Sequence, residues 1–215
     1  DVYKRQEELD DNKINLTEDI TLGEKAKIQK ISFIGDKIFK DKKLKGVILS
    51  EEYKPWKFLS GKKYLNESII NYDEKLLKNF YLNKGYYNVL INSSFAKMTD
   101  VQEFELIFNV DANPKLFFGD LKIDLPNDFT RSNYQEVEKF FEKLKNKPYS
   151  INRIEDIVEK IEVITVNEQY ESIKATVSEN IVSDKININF KIEETEKFFI
   201  ERINIFGNNV TRESV

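Results

Sequence analysis

The feature that most limits what this chain can become is a spacing that occurs three times. Apolar residues alternate with polar ones in Ile14-Leu16-Ile20, where Glu18 breaks the pattern. They do so again in Phe104-Leu106-Phe108-Val110 and in Ile186-Ile188-Phe190-Ile192. A period of two marks a strand that buries one face. Eleven residues after the last member of each run, an aliphatic opens a second alternating pair: Ile31 with Phe33, Leu121 with Ile123, Ile203 with Ile205. The text between, TLGEKAKIQK, DANPKLFFGD and EETEKFFIER, is polar at first and then apolar or aromatic. A short polar break thus joins the last strand of one unit to the first strand of the next. Opening strands lie 90 residues apart (Ile31 to Leu121) and then 82 (Leu121 to Ile203). The chain therefore holds two whole units, the tail of one before them and the head of one after them. KISFIGDKI (30–38) and RINIFGNNV (202–210) are two copies of the same opening. Glu18, at an apolar position, predicts a poorly closed first remnant.

Each whole unit reads β-α-α-β-β. In the first, the turn signal GDKIF precedes a short helix in KDKKLKGVIL and a long polar and aromatic stretch, SEEYKPWKFLSGKKY. The spacing of Ile69, Ile70, Leu76, Leu77, Phe80 and Tyr81 predicts a second helix over 66–83, stopped by Gly85. YYNVLINSSFAKM and QEFELIFNV then form a hairpin around Thr99-Asp100. In the second unit, PNDF leads to a helix with Tyr134, Val137, Phe140, Phe141 and Leu144 on one face, broken by Pro148. The next helix starts near Ser150 and carries Ile151, Ile154, Ile157, Val158 and Ile161; Asn152 with Glu155 offers an N-capping arrangement. Strands over 173–181 and 185–193 close the unit around Ser183-Asp184. The fold class is α+β: three-stranded mixed sheets, each covered by two helices, strung as a modular rod. The expected divisions are 1–26 for the remnant, 27–114 and 115–197 for the whole units, and 198–215 for the start of the next.

A net charge of −4 argues against a nucleic-acid binder, which carries a basic stripe. The chain has no Cys, which removes disulfides, zinc-thiolate sites and thiol nucleophiles; it has no His, the commonest general base and transition-metal ligand. An enzyme is not expected, nor any cofactor or metal. No apolar run approaches the ~18 residues of a membrane-spanning helix. DVYKRQEELDDNK has no apolar signal core, although the chain reads as a fragment of a longer protein. Its first six residues, DVYKRQ, resemble the translation of a sequencing-library transposon end and stay outside the fold argument.

With this pattern, the chain resembles the POTRA repeats of the BamA family of bacterial outer-membrane protein assembly factors. The I-x-F-I-G-D and I-x-I-F-G-N openings match, and NFYLNKGYYN (79–88) is similar to the family's Y-x-x-x-G-Y helix end. KPWKFLSGKKY (54–64) resembles the enlarged loop of the family's third repeat. The resemblance covers nearly all of residues 12–215 and aligns the chain with the end of the second repeat, the third, the fourth and the start of the fifth. The fourth-like repeat departs from it, with Gln169 before Tyr170 in place of Gly and Leu125-Pro126 in its opening.

Such repeats stand in the periplasm before a membrane β-barrel, dock accessory lipoproteins and receive unfolded outer-membrane proteins. The resemblance implies that the first hairpin strand is the edge that accepts partner strands. In the third-like repeat, Val89 and Ile91 occupy odd positions, but Ala96 and Met98 even ones. That parity switch predicts a β-bulge near Ser93, Ser94 and Phe95. Val89, Ile91, Ala96 and Met98 then face the core, and Leu90 and Phe95 face outward. The candidate partner-binding edge is Tyr87, Val89, Leu90, Ile91, Asn92, Ser93, Ser94, Phe95 and Ala96, for a BamB-like lipoprotein or a client strand. The alternative is a solvated sheet face with scattered apolar residues.

Trp56, with Pro55, Tyr53 and Phe58, is expected to anchor the long loop onto the helices; the alternative is an exposed aromatic platform for a partner. SGKK (60–63) lacks the earlier Gly of a phosphate-binding loop, Trp56 standing in that place. The acidic neighbours in EEYK and EETEK read as solvated loops. Sequons at Asn15 and Asn66 matter only in a eukaryotic secretory pathway. Other readings are a TamA-like translocation module, a secretion transporter, a KH-like RNA binder without its G-x-x-G loop, and a carboxylate-pair hydrolase for which no spacing selects a pair.

Overall fold

The computed structural model describes residues 2–9, 13–20, 25–56, 60–99, 103–167 and 173–194. The expected opening of a further unit over 198–215 lies outside the described residues. So do Phe58, Gln169, Tyr170 and the hairpin tip at Asp100. The strands β1 (Val2–Leu9) and β2 (Lys13–Ile20) pair antiparallel, from Val2 opposite Ile20 to Leu9 opposite Lys13. Residues 2–6, set aside on sequence grounds, lie on β1. The chain divides into two compact units that part between Leu116 and Phe117, with β1, β2 and residues 149–151 grouped with the first.

In the first unit the elements are β3 (Lys27–Asp36), α1 (Asp41–Lys45), α2 (Glu67–Leu82), β4 (Leu90–Thr99) and β5 (Glu103–Asp111). The sheet order is β3-β5-β4, with β3 parallel and β4 antiparallel to β5. Register sets Ile31 beside Leu106 and Phe33 beside Phe108, whose rings stack at 5.4 Å. Leu44 of α1 and Ile70, Leu77 and Tyr81 of α2 complete the core. An irregularity between Ile28 and Lys30 turns both Ile28 and Ile31 inward. Asn66 caps α2 by accepting from the Ile69 N–H at 3.0 Å. Past its end, Gly85 takes φ +93° and the Tyr86 N–H returns to the Tyr81 carbonyl at 3.1 Å. Gly35, in the repeated opening, has φ +83°, and a Cβ there would lie 2.4 Å from the Val110 carbonyl oxygen.

The second unit repeats the plan with β6 (Phe117–Asp124), α3 (Gln135–Leu144), α4 (Ile151–Asn167), β7 (Ile173–Val182) and β8 (Lys185–Glu194), in sheet order β6-β8-β7. Ile186, Ile188, Phe190 and Ile192 face buried Val137, Phe141, Leu144, Ile154, Ile157 and Ile161. Phe141 stacks on Phe190 at 5.4 Å. Ser183 adopts φ +60° in the two-residue hairpin turn. α4 begins at Ile151, so Asn152 lies inside its first turn and Ser150 stands before the helix. Thr165 fills a core position on α4, with its hydroxyl bonded to the Ile161 carbonyl and Tyr134 hydroxyl. Both units are therefore three-stranded mixed sheets under two helices.

Candidate functional site

With β5 in the centre, β3 and β4 are the two edges of the first sheet. In a strand, one residue's N–H and C=O point to the same side, and the sides alternate. Glu74 on α2 accepts from the Ser93 N–H at 2.6 Å, which identifies the outward set. Ile91, Ser93 and Phe95 turn their main-chain groups to the open margin; Leu90, Asn92, Ser94 and Ala96 turn theirs to β5. Beside this margin runs a groove of about 540 Å³, lined by Asn71, Glu74, Lys75 and Lys78 of α2 and by Val89, Leu90, Ile91 and Asn92.

The β3 margin is occupied along its length. The Ala26 carbonyl accepts from the Leu65 N–H at 2.9 Å, and Lys27 bridges Tyr64. The Ile28 carbonyl accepts from the Tyr53 N–H at 2.6 Å. Glu52 accepts from the Ile31 N–H at 3.1 Å and from Lys45. Lys37 donates to the Phe33 carbonyl at 2.7 Å. The long loop thus closes one edge of the sheet. Two groups fasten it. Buried Asp73 accepts from the Leu49 N–H at 2.6 Å and the Ser50 N–H at 3.1 Å. Buried Lys63 lies between the rings of Tyr53 and Tyr64, at 5.2 and 5.5 Å from their centroids. Burial alone would raise the pKa of Glu52, but the Lys45 ammonium and the Ile31 N–H outweigh it and hold the carboxyl below its ordinary value.

The structure departs from the sequence expectations at several points. β4 pairs with β5 without a break from Leu90 to Lys97, and the register shift falls between Lys97 and Thr99, not near Ser93–95. Ala96 and Met98 do not face the core; both are exposed, Met98 to 49%. Phe95 lies on the helix-covered face, opposite buried Leu106, with its ring edge-on to Phe104 at 5.9 Å. It remains 62% exposed. Leu90, 60% exposed, lies on the opposite face. The two outward apolar residues therefore occupy different faces of one strand. Val89 is buried and Tyr87 half-buried, both ahead of β4. Trp56 is 72% exposed, with the Lys54 ammonium 6.0 Å from its ring, and does not anchor the loop; Tyr53 and Tyr64 do. Glu52 of EEYK is an edge-binding group rather than a solvated loop acid. SGKK forms a single turn in which Ser60 accepts from the Lys62 N–H.

In the second unit the β6 margin is likewise taken, by Phe118 exchanging two 2.9 Å bonds with Asn146 and Lys147. β7 is the other edge. Its Glu179 pairs with Ile188, the register position that Phe95 holds against Leu106 in the first unit. Among the described residues no cluster of His, Cys, Asp and Glu could hold a metal. Among them, too, no helix is long and apolar enough to cross a membrane, which has no bearing on β-barrels.

Residues 26–113 match the POTRA family, described as the surface antigen variable number repeat. The outer membrane protein assembly factor BamA of Buchnera aphidicola is 26% identical over 95% of this chain and 33% of its own length. That of Neisseria meningitidis serogroup B is 23% identical over 95% of this chain and 26% of its own length. The chain thus spans a third or less of these relatives. Among solved structures, the POTRA3-5 fragment of Haemophilus influenzae BamA superposes with a TM-score of 0.54 at 16% identity, covering 89% of this chain and 71% of that one. BamA from Haemophilus ducreyi lacking POTRA domains 1-3 gives 0.53 at 14% identity, over 79% and 29%.

Proposed function

The chain carries POTRA repeats of the kind found in outer-membrane protein assembly factors, and on that footing we propose that it is a periplasmic scaffold which docks other polypeptides by strand addition to β4. The carrying observation is the asymmetry of the first sheet. Its β3 margin is closed by the loop, while Ile91, Ser93 and Phe95 present main-chain groups along a groove beside α2. Main-chain bonding tolerates many sequences, as handling unfolded barrel proteins requires, and alternate side chains give selectivity. The exposed Phe95 on one face and Leu90 on the other offer apolar contact to a partner strand on either side. Accessory lipoproteins, BamB-like at this third-like repeat, and unfolded outer-membrane proteins are the partners. The role is non-enzymatic. The parent protein continues into a membrane β-barrel.

Photo-crosslinking residues at positions 90 and 95 of the parent protein, in cells, test this. Capture of an assembly-complex lipoprotein or an unfolded barrel protein is expected, with positions 42 and 43 of α1, exposed on the far side of the cover, as silent controls. Equal yields from all four positions would sink the proposal.

A further inference from the structure

We propose that Glu74 is a latch on the β4 margin, a carboxylate that holds the place an incoming strand must take and has to leave before docking. The inference rests on the reading of β4 as a docking edge. Ser93 is the middle of the three outward residues, so register with any added strand passes through its N–H. That N–H is already bonded to Glu74 at 2.6 Å. A carboxylate is a stronger acceptor than an amide carbonyl and offers no donor in return. A partner carbonyl and the Glu74 carboxylate therefore compete for one hydrogen, and cannot both hold it in good geometry.

The first sheet shows what permanent closure requires. On β3, Glu52 does the same to the Ile31 N–H, but there Lys45 braces the carboxylate and a run of loop backbone occupies the neighbouring groups. At Ser93 the closure is a single half-buried side chain on the groove wall. Lys78 stands one helical turn further along α2, at the i,i+4 spacing where a released Glu74 finds an ion-pair partner. Glu74 thus has two homes. In one it satisfies the free margin and blocks pairing with stray strands; in the other it stands aside.

The test uses the whole 215-residue chain and a capped peptide of alternating Val and Thr as probe. Binding is read from amide shifts along β4, and the free chain's Ser93 amide exchange is measured alongside. Glu74→Ala is expected to bind the peptide roughly three- to tenfold tighter than the parent chain and to exchange its Ser93 amide faster when free. Glu74→Gln falls between the two, because its oxygen still accepts without the charge. Lys78→Ala binds more weakly, having lost the second home. Equal affinity of the parent chain and Glu74→Ala, with β4 amides shifted in both, overturns the latch and leaves strand addition standing. Weaker binding by Glu74→Ala overturns it too, making Glu74 a contact to the partner. Unshifted β4 amides in every variant overturn both readings.

Discussion

Replacing Asp73 by Ala should open the wrong edge of the first sheet. Asp73 is buried on α2, and its two oxygens accept from the Leu49 and Ser50 N–H groups where the long loop leaves the core. Truncation removes two charge-assisted bonds and strands a buried donor, since Ser50 is itself buried. Each such bond contributes about 1.5–3 kcal/mol, and with one carboxylate shared the loss is on the order of 3–5 kcal/mol. A unit of this size has a urea m-value of about 1–2 kcal/mol/M, so its unfolding midpoint should fall by roughly 2–3 M. Asp73→Asn keeps one acceptor and should recover part of the loss. The more telling readout is local. The loop carries Glu52, Tyr53 and Tyr64 to β3, so amide exchange at Ile31, Tyr53 and Leu65 should speed up well before that of Leu106 or Phe108. A loss below about 1 kcal/mol, or uniform acceleration across the sheet, would refute the claim that Asp73 fastens the covering loop.

Gly35→Ala places a Cβ 2.4 Å from the Val110 carbonyl at φ +83°; a loss of at least about 2 kcal/mol is expected in urea unfolding, against a near-neutral Gly61→Ala, where the added Cβ meets nothing. Burial, with Tyr86 adding to it, pushes the Tyr81 phenol up to about 12. Its stabilising effect is full below the ordinary value of 10 and is lost as pH rises through about 12, on the order of 2 kcal/mol in all; Tyr81→Phe should remove that alkaline step. Glu52 has the opposite sign. Its carboxyl is held below the ordinary value, so its contribution is present above that value and fades as pH falls through the lowered one, seen as faster exchange at the Ile31 amide that Glu52→Gln no longer shows.

The sequence made the architecture legible because backbone periodicity and burial act on every residue. The alternation in 104–110 and 186–192, the helical spacing in 69–81 and the turn at Ser183 each record a local requirement that tertiary contacts reinforce. The edge chemistry was far less legible. The parity of Val89, Ile91, Ala96 and Met98 pointed to a bulge because sequence alone assumes that every apolar strand residue seeks cover. On β4 Phe95 shares the face of buried Leu106 and still stays exposed, and the irregularity of register falls at Met98 rather than at Ser93–Phe95. At Ile28, Ile31 and Phe33 a change of parity does accompany an irregularity of register, and all three residues are buried. Asp73, Glu74 and Glu52 carry the site's polar logic through partners 19 to 24 positions away, and nothing in local spacing marks such a carboxylate among 38 acidic residues.

A three-stranded mixed sheet cannot avoid having two edges, and both units dispose of the same one in the same way. The parallel edge strand is bonded by the chain that leads into the second helix, at Tyr64 and Leu65 in the first unit and at residues 146–147 in the second. That leaves the hairpin strand as the margin open to the proposed strand addition, and there the units differ. Position for position along the central strand, Phe95 against Leu106 becomes Glu179 against Ile188. An aromatic at a margin adds apolar contact to any strand that pairs there, whereas a charge at the same place must be desolvated, a standard way of keeping edges from pairing. A repeated fold can thus localise docking to one unit by side chains alone. Exchanging the two residues separates this from a role for the fold itself: Phe95→Glu should abolish peptide-induced shifts on β4, and Glu179→Phe should make them appear on β7. Shifts that stay on β4 after Phe95→Glu would place the selectivity in the groove beside α2 rather than at the margin.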